Sequence, residues 1–223
     1  MPPRVTFMHH WLNQLFPRPL RRFIAAAVLL SLASLPAGAA PLEINELLAG
    51  PARDWDGSGA LSTRDDEWVE VRNTTAAPLD LDGFIITDGD SLPRFALSGM
   101  LGAGERRVVF GKESYDWERA HGQPAFGLSL SNSGDAVVLW QVQGADTVVV
   151  DAYTYKSHEA AADRAVGRLN DAGTWGLFDS LNPYTGTTLP VGSGCAPSPG
   201  AANTCGVTAV RHPSWGGLKL LYR

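Results

Sequence analysis

Cysteine is scarce in this chain of 223 residues, which contains only Cys195 and Cys205. The longest apolar run, residues 23–35, is shorter than the roughly 20 residues that a membrane-spanning helix needs. Three catalytic signatures are also missing from the sequence, namely the P-loop, the zinc-binding H-E-x-x-H motif and the G-x-S-x-G motif. These absences weigh against a helical membrane protein and against several common enzyme classes.

The N-terminus has the organisation of an export signal. Arginines without any acidic residue precede the apolar run 23–35, and small residues follow Pro36. A basic segment, a short apolar segment and a small-residue cleavage site together define a secretory signal peptide. We predict that residues 1–39 are a signal peptide cleaved after Ala39. The protein is then expected to be extracellular, on the cell surface or periplasmic, with no membrane span after cleavage.

Acidic residues outnumber basic ones in the predicted mature protein. The full chain has a net charge of −5, and loss of residues 1–39 leaves 14 basic against 23 acidic residues, a net charge of −9. An acidic surface repels phosphate backbones and anionic lipids. We therefore expect no nucleic-acid partner.

Cys195 and Cys205 both lie in the predicted exported part, where an even number of cysteines indicates a disulfide. The segment between them is rich in proline and glycine, so the bond would pin a loop near the C-terminal end of the domain. A zinc site is the alternative. It is the weaker interpretation because structural zinc takes four ligands. Besides the two cysteines, the nearby sequence offers only His212.

Short strand-like segments dominate the rest of the chain. They are rich in β-branched and aromatic residues and are separated by Asp-Gly and Gly-x-Gly turn signals. The predicted strands are residues 42–48, 68–72, 84–87, 106–110, 136–141, 147–155, 165–169 and 175–178. Residues 114–121 are the one segment with room for about two turns of helix. Because helix-length segments do not alternate with the strands, we predict an antiparallel β-sandwich.

Several motifs occur in an order typical of a known family. They are Ile44-Asn45-Glu46-Leu47-Leu48, residues 66–73, residues 78–88, residues 108–111, residues 127–135, residues 150–155 and residues 198–203. This order resembles the bacterial lamin-tail domain. The resemblance implies an immunoglobulin-like β-sandwich over residues 40–205 that serves as a structural or interaction module without catalytic residues.

An acidic loop precedes the second predicted strand. Counting from Asp54 places Asp56, Ser58, Ala60 and Asp65 at positions 3, 5, 7 and 12 of a calcium-loop template, with Gly59 at position 6. Calcium prefers hard oxygen ligands, and glycine permits the sharp bend. The alternative is a solvated loop that needs no ion. Position 12 is Asp, whose side chain is short for bidentate contact, so Asp66, Glu67 or Asp88 would have to compensate.

Other candidate sites have less support. Trp55, Trp117 and Trp140 would suit stacking on a sugar if they were exposed together. Carboxylates at Asp65, Asp66, Glu67 and Glu70 suggest a metal-dependent phosphodiesterase, but strand alternation should send them to different faces. His121 and His158 stand alone, whereas zinc and nucleophilic chemistry need several groups within reach.

The last 18 residues, 206–223, form a basic and apolar tail on an acidic protein. The ending resembles short tails of exported bacterial proteins, which would imply a sorting tag. A final strand or short helix that packs on the domain is an equally supported alternative.

For the whole protein the main hypothesis is a non-enzymatic exported module that binds a surface protein or glycan. The alternatives are a calcium-stabilised or carbohydrate-binding accessory domain and, last, the phosphodiesterase.

Overall fold

A computed structural model describes residues 40–205. The predicted signal peptide, residues 1–39, and the predicted sorting tail, residues 206–223, lie outside the described residues. Within residues 40–205, no helix has both the length and the apolar character needed to cross a membrane.

The described region contains eleven strands and one α-helix. In chain order they are β1 (Leu42–Leu48), β2 (Trp68–Asn73), β3 (Leu79–Asp80), β4 (Phe84–Thr87), β5 (Pro93–Ala96), β6 (Met100–Leu101), β7 (Arg106–Phe110), α1 (Gly111–Ala120), β8 (Gly134–Gln143), β9 (Asp146–Lys156), β10 (Ala165–Arg168) and β11 (Trp175–Phe178). A short 3₁₀ helix, Leu169–Asp171, follows β10.

The strands form two main antiparallel sheets. The five-stranded sheet has the order β11-β10-β1-β2-β7, and the four-stranded sheet has the order β5-β4-β8-β9. Strands β3 and β6 pair separately. This arrangement confirms the predicted all-β fold of the immunoglobulin-like type.

The main hydrophobic core takes side chains from both sheets, and strand alternation explains how. On β2, Val69 and Val71 belong to the core, together with Phe84 and Ile86 of β4 and Leu139 of β8. Each of these side chains is essentially inaccessible to solvent. Val69 and Val71 therefore share the inner face of β2, as the alternation of a β-strand requires.

A second apolar cluster covers the opposite, outer face of the five-stranded sheet. Its buried members are Leu48, Trp68, Ala165, Phe178 and Cys195. Trp55 from the acidic loop and Cys205 pack against it. Chain segments outside the strands therefore cover this face, which gives both faces of the sheet a buried layer.

All eight predicted strands are present, and four have the predicted bounds. Helix α1 begins at Gly111, three residues before the predicted start. Three short strands were missed, and all lie in the 79–101 region. Two of them have only two residues, and β5 begins with Pro93 at the edge of its sheet, where proline is tolerated because an edge strand has unpaired backbone groups.

Candidate functional site

The acidic loop brings three carboxylates together. Ligand oxygens of Asp54, Asp56 and Asp66 all lie within 4.8 Å of one another. Asp54 is exposed, Asp56 is half-buried and Asp66 is fully buried. Convergent carboxylate oxygens are the donor type that calcium prefers.

Backbone amides of the same loop already bind these carboxylates. Asp66 accepts from the amides of Trp55 (2.6 Å), Asp56 (2.9 Å) and Ser62 (2.7 Å). Asp54 accepts from the amides of Ser58 (3.0 Å) and Gly59 (2.7 Å). These hydrogen bonds satisfy backbone donors of the loop and help to hold its conformation without an ion.

The remaining template positions fit calcium less well. Asp65 is not part of the cluster, because its carboxylate binds the guanidinium of Arg64 at 2.6 Å. Asp66 takes its place beside Asp54 and Asp56. The Ser58 hydroxyl donates to the Ala60 carbonyl oxygen at 3.1 Å, so both groups are engaged with each other. Position 12 of the template therefore does not supply the third carboxylate.

Two more carboxyl groups meet on the outer face of the five-stranded sheet. The register of β1 against β2 shifts between Ile44 and Glu46, and this irregularity places Glu46 opposite Glu70. Both residues are fully buried. Gly167 of β10 leaves room for the Glu46 side chain, because a Cβ at position 167 would lie 2.8 Å from Cγ of Glu46.

The segment 195–205 lies over this carboxyl pair, and we call it the strap. Its ends are joined by the Cys195–Cys205 disulfide, with Cα atoms 5.4 Å apart, which confirms the predicted bond. The Ser198 amide and hydroxyl donate to Glu46 at 3.1 and 2.9 Å. The Gly200 amide donates to Glu70 at 2.6 Å. The strap therefore supplies hydrogen-bond donors to both carboxyl groups.

Burial dominates the electrostatics of the pair. It raises the pKa of the Glu46 carboxyl to about 8, against the hydrogen bonds from Ser198, and the neighbouring Glu70 and Asp171 carboxylates add to the increase. Burial also raises the pKa of Glu70, although hydrogen bonds from Asn45 and Gly200 oppose it. A carboxyl group in such an environment retains a proton to a higher pH than it does in water.

The cluster considered for phosphodiesterase chemistry is divided in the structure. Glu67 accepts from the Leu130 amide at 3.1 Å, whereas Glu70 contacts Asn45 and the strap. Burial raises the pKa of Glu67 to about 8. Strand alternation thus separates the carboxylates, as the sequence predicted.

The three tryptophans considered for sugar binding occupy different elements. Trp55 donates its ring N–H to Asp163 at 2.9 Å and contacts Trp68 edge-on at 6.2 Å. Trp140 on β8 donates to the Thr87 hydroxyl at 3.0 Å. Trp117 on α1 packs against the main core. Each ring therefore belongs to its own packing environment.

The two histidines are also engaged locally. His121 stacks on Trp117 with ring centroids 4.5 Å apart, and His158 lies 4.9 Å from the Tyr184 ring. His121 is exposed and His158 is half-buried, and each ring contacts one neighbouring aromatic ring.

Residues 180–194 form a loop that the sequence did not single out. The buried Asp179 accepts from the Tyr184 amide at 2.7 Å and from the Gly194 amide at 2.8 Å, and thereby fixes the loop at two points. Leu189 and Val191 are nevertheless 73% and 48% exposed. We call residues 180–194 the apolar loop. Its sequence signal was weak, since the two side chains are not part of a periodic pattern.

Comparison with family models places the chain. A family model described as Lamin Tail Domain matches residues 36–157, which is more than half of the chain. No curated protein matches the chain. The match ends before β10, β11 and the strap.

Proposed function

Since this chain belongs to the lamin tail domain family, we propose that it is a non-enzymatic structural or interaction module exported from the cell. The family fold is an immunoglobulin-like β-sandwich, and the antiparallel sheets of residues 40–205 are compatible with such a module. The disulfide supports export, because such bonds persist in oxidising compartments. The expected location is the cell surface, the periplasm or the extracellular medium.

The apolar loop is the observation that best supports an interaction role. Large apolar side chains that protrude from a loop on a rigid scaffold are typical of recognition sites. Leu189 and Val191 protrude in this way, while Asp179 fixes the loop beneath them. Such a loop keeps little conformational freedom to lose on binding, which favours affinity. The expected partner is a surface protein or a glycan.

We expect the double variant Leu189→Asp, Val191→Asp to weaken partner binding by about tenfold or more, because the loss of apolar anchors that together contribute about 1.4 kcal/mol corresponds to a tenfold increase in Kd. The full chain is used to capture partners from the native envelope fraction, and the affinity of the recovered partner is then measured for each variant.

The matched control is Thr187→Asp, Thr188→Asp, which adds the same charge to exposed residues of the same loop. Both double variants should unfold at the wild-type temperature. Equal loss of binding in both variants, or unchanged binding in the leucine and valine variant, rules out the apolar loop as the contact.

The non-enzymatic assignment is supported by how the buried carboxylates are used. Glu46, Glu67 and Glu70 each accept hydrogen bonds from backbone amides. The bond to Glu67 holds the 128–130 segment at the start of β2, and the bonds to Glu46 and Glu70 hold the strap against β1 and β2. This is a structural use of the three carboxyl groups. The phosphodiesterase alternative has no comparable support.

Calcium binding by the acidic loop is the second candidate property. The convergence of Asp54, Asp56 and Asp66 within 4.8 Å favours it. We propose a weak site in which these carboxylates, with oxygens of Ser58 or Ala60, hold the ion. Extracellular calcium modules bind with a Kd on the order of 10⁻⁴ to 10⁻³ M. The ion would hold the acidic loop against the second apolar cluster.

We expect 10 mM calcium to raise the Tm of the full chain by about 3 to 10 °C relative to chelator, because a ligand that binds the folded state stabilises it. Asp54→Asn should lose most of this increase, while Asp116→Asn, on the exposed face of α1, should keep it. Magnesium at the same concentration controls for ionic strength. An identical Tm in calcium and in chelator would exclude the site.

A further inference from the structure

The Glu46–Glu70 pair is unusual because two buried carboxyl groups face each other across neighbouring strands. Directly opposed side chains in an antiparallel sheet have Cβ atoms roughly 5 Å apart. Both groups lie on the outer face of the five-stranded sheet and are fully buried. Two carboxylates at this separation repel each other strongly when water is excluded.

The strap is what excludes water from the pair. Ser198 and Gly200 bind the two carboxyl groups directly. Asn203 holds the far end of the strap by donating to the carbonyl oxygens of Asn45 (3.1 Å) and Arg168 (3.0 Å). Because these contacts bridge the strap to β1, β2 and β10, lifting the strap would expose both carboxyl groups to solvent.

The charged groups around the pair leave an excess of negative charge. Asp171 of the 3₁₀ helix binds the Asn45 amide at 3.1 Å and also binds the Arg106 guanidinium. Arg106 of β7 lies 3.7 Å from Glu70. The other charged groups on the neighbouring strands are paired, and these pairs are Arg72–Glu43, Arg168–Glu43, Arg168–Asp151 and Arg107–Glu113. Arg106 therefore contacts two of the three carboxyl groups, Glu70 and Asp171, and Glu46 has no ion pair among the described residues.

We propose that residues 195–205 form a proton-linked strap, closed over Glu46 and Glu70 while the pair retains a proton and released from them when both are ionised. Retention of one proton removes the repulsion between the two groups and lowers the cost of burying them. The disulfide ties Cys205 to Cys195, so the strap lifts as a closed ring. Its opening uncovers the carboxyl pair and loosens the cover of the second apolar cluster.

The direction of the pH effect follows from linkage. The Glu46 carboxyl has a pKa of about 8 beneath the strap, against an ordinary value of 4.5, to which it returns when the strap opens into water. Between these two values the closed state binds more protons than the open state. Opening therefore becomes easier as pH rises from about 4.5 to about 8, and it levels off at higher pH.

Hydrogen exchange at the strap tests the proposal on the full chain. The amides of Ser198 and Gly200 exchange when the strap opens, and mass spectrometry after a reducing quench follows the peptide that contains them. We expect their protection factors, corrected for the intrinsic pH dependence of exchange, to fall at least tenfold from pH 6 to pH 8. In Glu46→Gln, which keeps an acceptor for Ser198 but cannot ionise, the same change should be less than threefold.

Two further variants make the outcome decisive. Asp116→Asn removes an exposed carboxylate and should keep the wild-type pH profile, whereas Glu70→Gln should flatten it as Glu46→Gln does, which covers the case of one variant failing to fold. The proposal is overturned if wild type and the glutamine variants share one pH profile. It is equally overturned if the strap amides exchange only as fast as those of β2, since that result means opening by global unfolding.

Discussion

Replacing Arg94 with methionine should lower the free energy of unfolding by about 3 to 5 kcal/mol, the typical cost of removing one partner from a buried ion pair. Arg94 is 2% exposed, and its partners Asp88 and Glu118 are 4% and 0% exposed. Methionine has a similar length but no charge, so it would leave two carboxylates buried without their cation. Urea unfolding followed by tryptophan fluorescence measures the change.

The position of Arg94 explains why the effect should be large. Its guanidinium, on β5, binds Asp88 at 2.6 Å and Glu118 of α1 at 3.1 Å. Glu118 also accepts from the amides of Phe126 and Gly127 at 2.6 and 2.7 Å. One side chain therefore connects the edge of the four-stranded sheet, the helix and the loop that follows it.

Two comparisons separate buried charge from lost packing. Arg119→Met, at an exposed position of α1, should change the free energy of unfolding by less than about 0.5 kcal/mol. Adding Glu118→Gln to Arg94→Met should restore part of the loss, because it removes one of the two unpaired charges. A decrease of less than about 1 kcal/mol in the free energy of unfolding of Arg94→Met would contradict the conclusion that Arg94 neutralises two buried carboxylates.

Replacing Trp68 with alanine should cost about 3 to 5 kcal/mol of unfolding free energy, the range for removing a large buried aromatic side chain. Trp68 is fully buried on the outer face of the five-stranded sheet. It packs with Leu48, Phe178 and Cys195, and Trp55 and Cys205 cover the cluster. Its loss would leave a cavity that joins the acidic loop, the sheet and the strap. Chemical denaturation of the full chain measures the effect.

Trp68→Phe provides the matched control. Within residues 40–205, the Trp68 ring N–H is buried without a hydrogen-bond partner, and such a group costs about 1 to 3 kcal/mol. Phenylalanine removes that polar group while keeping most of the apolar surface. We expect Trp68→Phe to lower the free energy of unfolding by less than half of the decrease in Trp68→Ala. Equal losses in both variants would show that cavity formation is not the dominant effect.

Much of the fold was predictable because its signals are local. Apolar alternation in 68–72 and turn residues such as Asp82-Gly83 act within a few positions, and the structure places the strands accordingly. Gly83 has φ of +90°, a conformation that glycine adopts without strain. The short strands β3 and β6 have no such signal, because pairing partners elsewhere in the chain define a two-residue strand.

The candidate site was predictable only in part. Sequence spacing located the acidic loop and named Asp66 among the residues that could compensate for position 12. It kept Asp65 as a ligand because a linear template does not include the competing ion pair with Arg64. The disulfide was predicted from the even number of cysteines and from the oxidising compartment that the export signal implies. The apolar loop had no comparable signal, since exposure of Leu189 and Val191 depends on what packs around them.

Period-two alternation and turn chemistry depend on neighbouring residues, and they were enough to predict eight of the eleven strands and the two faces of β2. The family was indicated by the resemblance of its ordered motifs. The meeting of Glu46 and Glu70 beneath the strap has no local sequence signal and depends on tertiary packing. A register shift in β1 turns Glu46 toward Glu70, and Ser198 reaches Glu46 across 152 positions of sequence. Contacts of that range depend on how the sheets and loops pack together, so the proton-linked strap is a property of the folded chain.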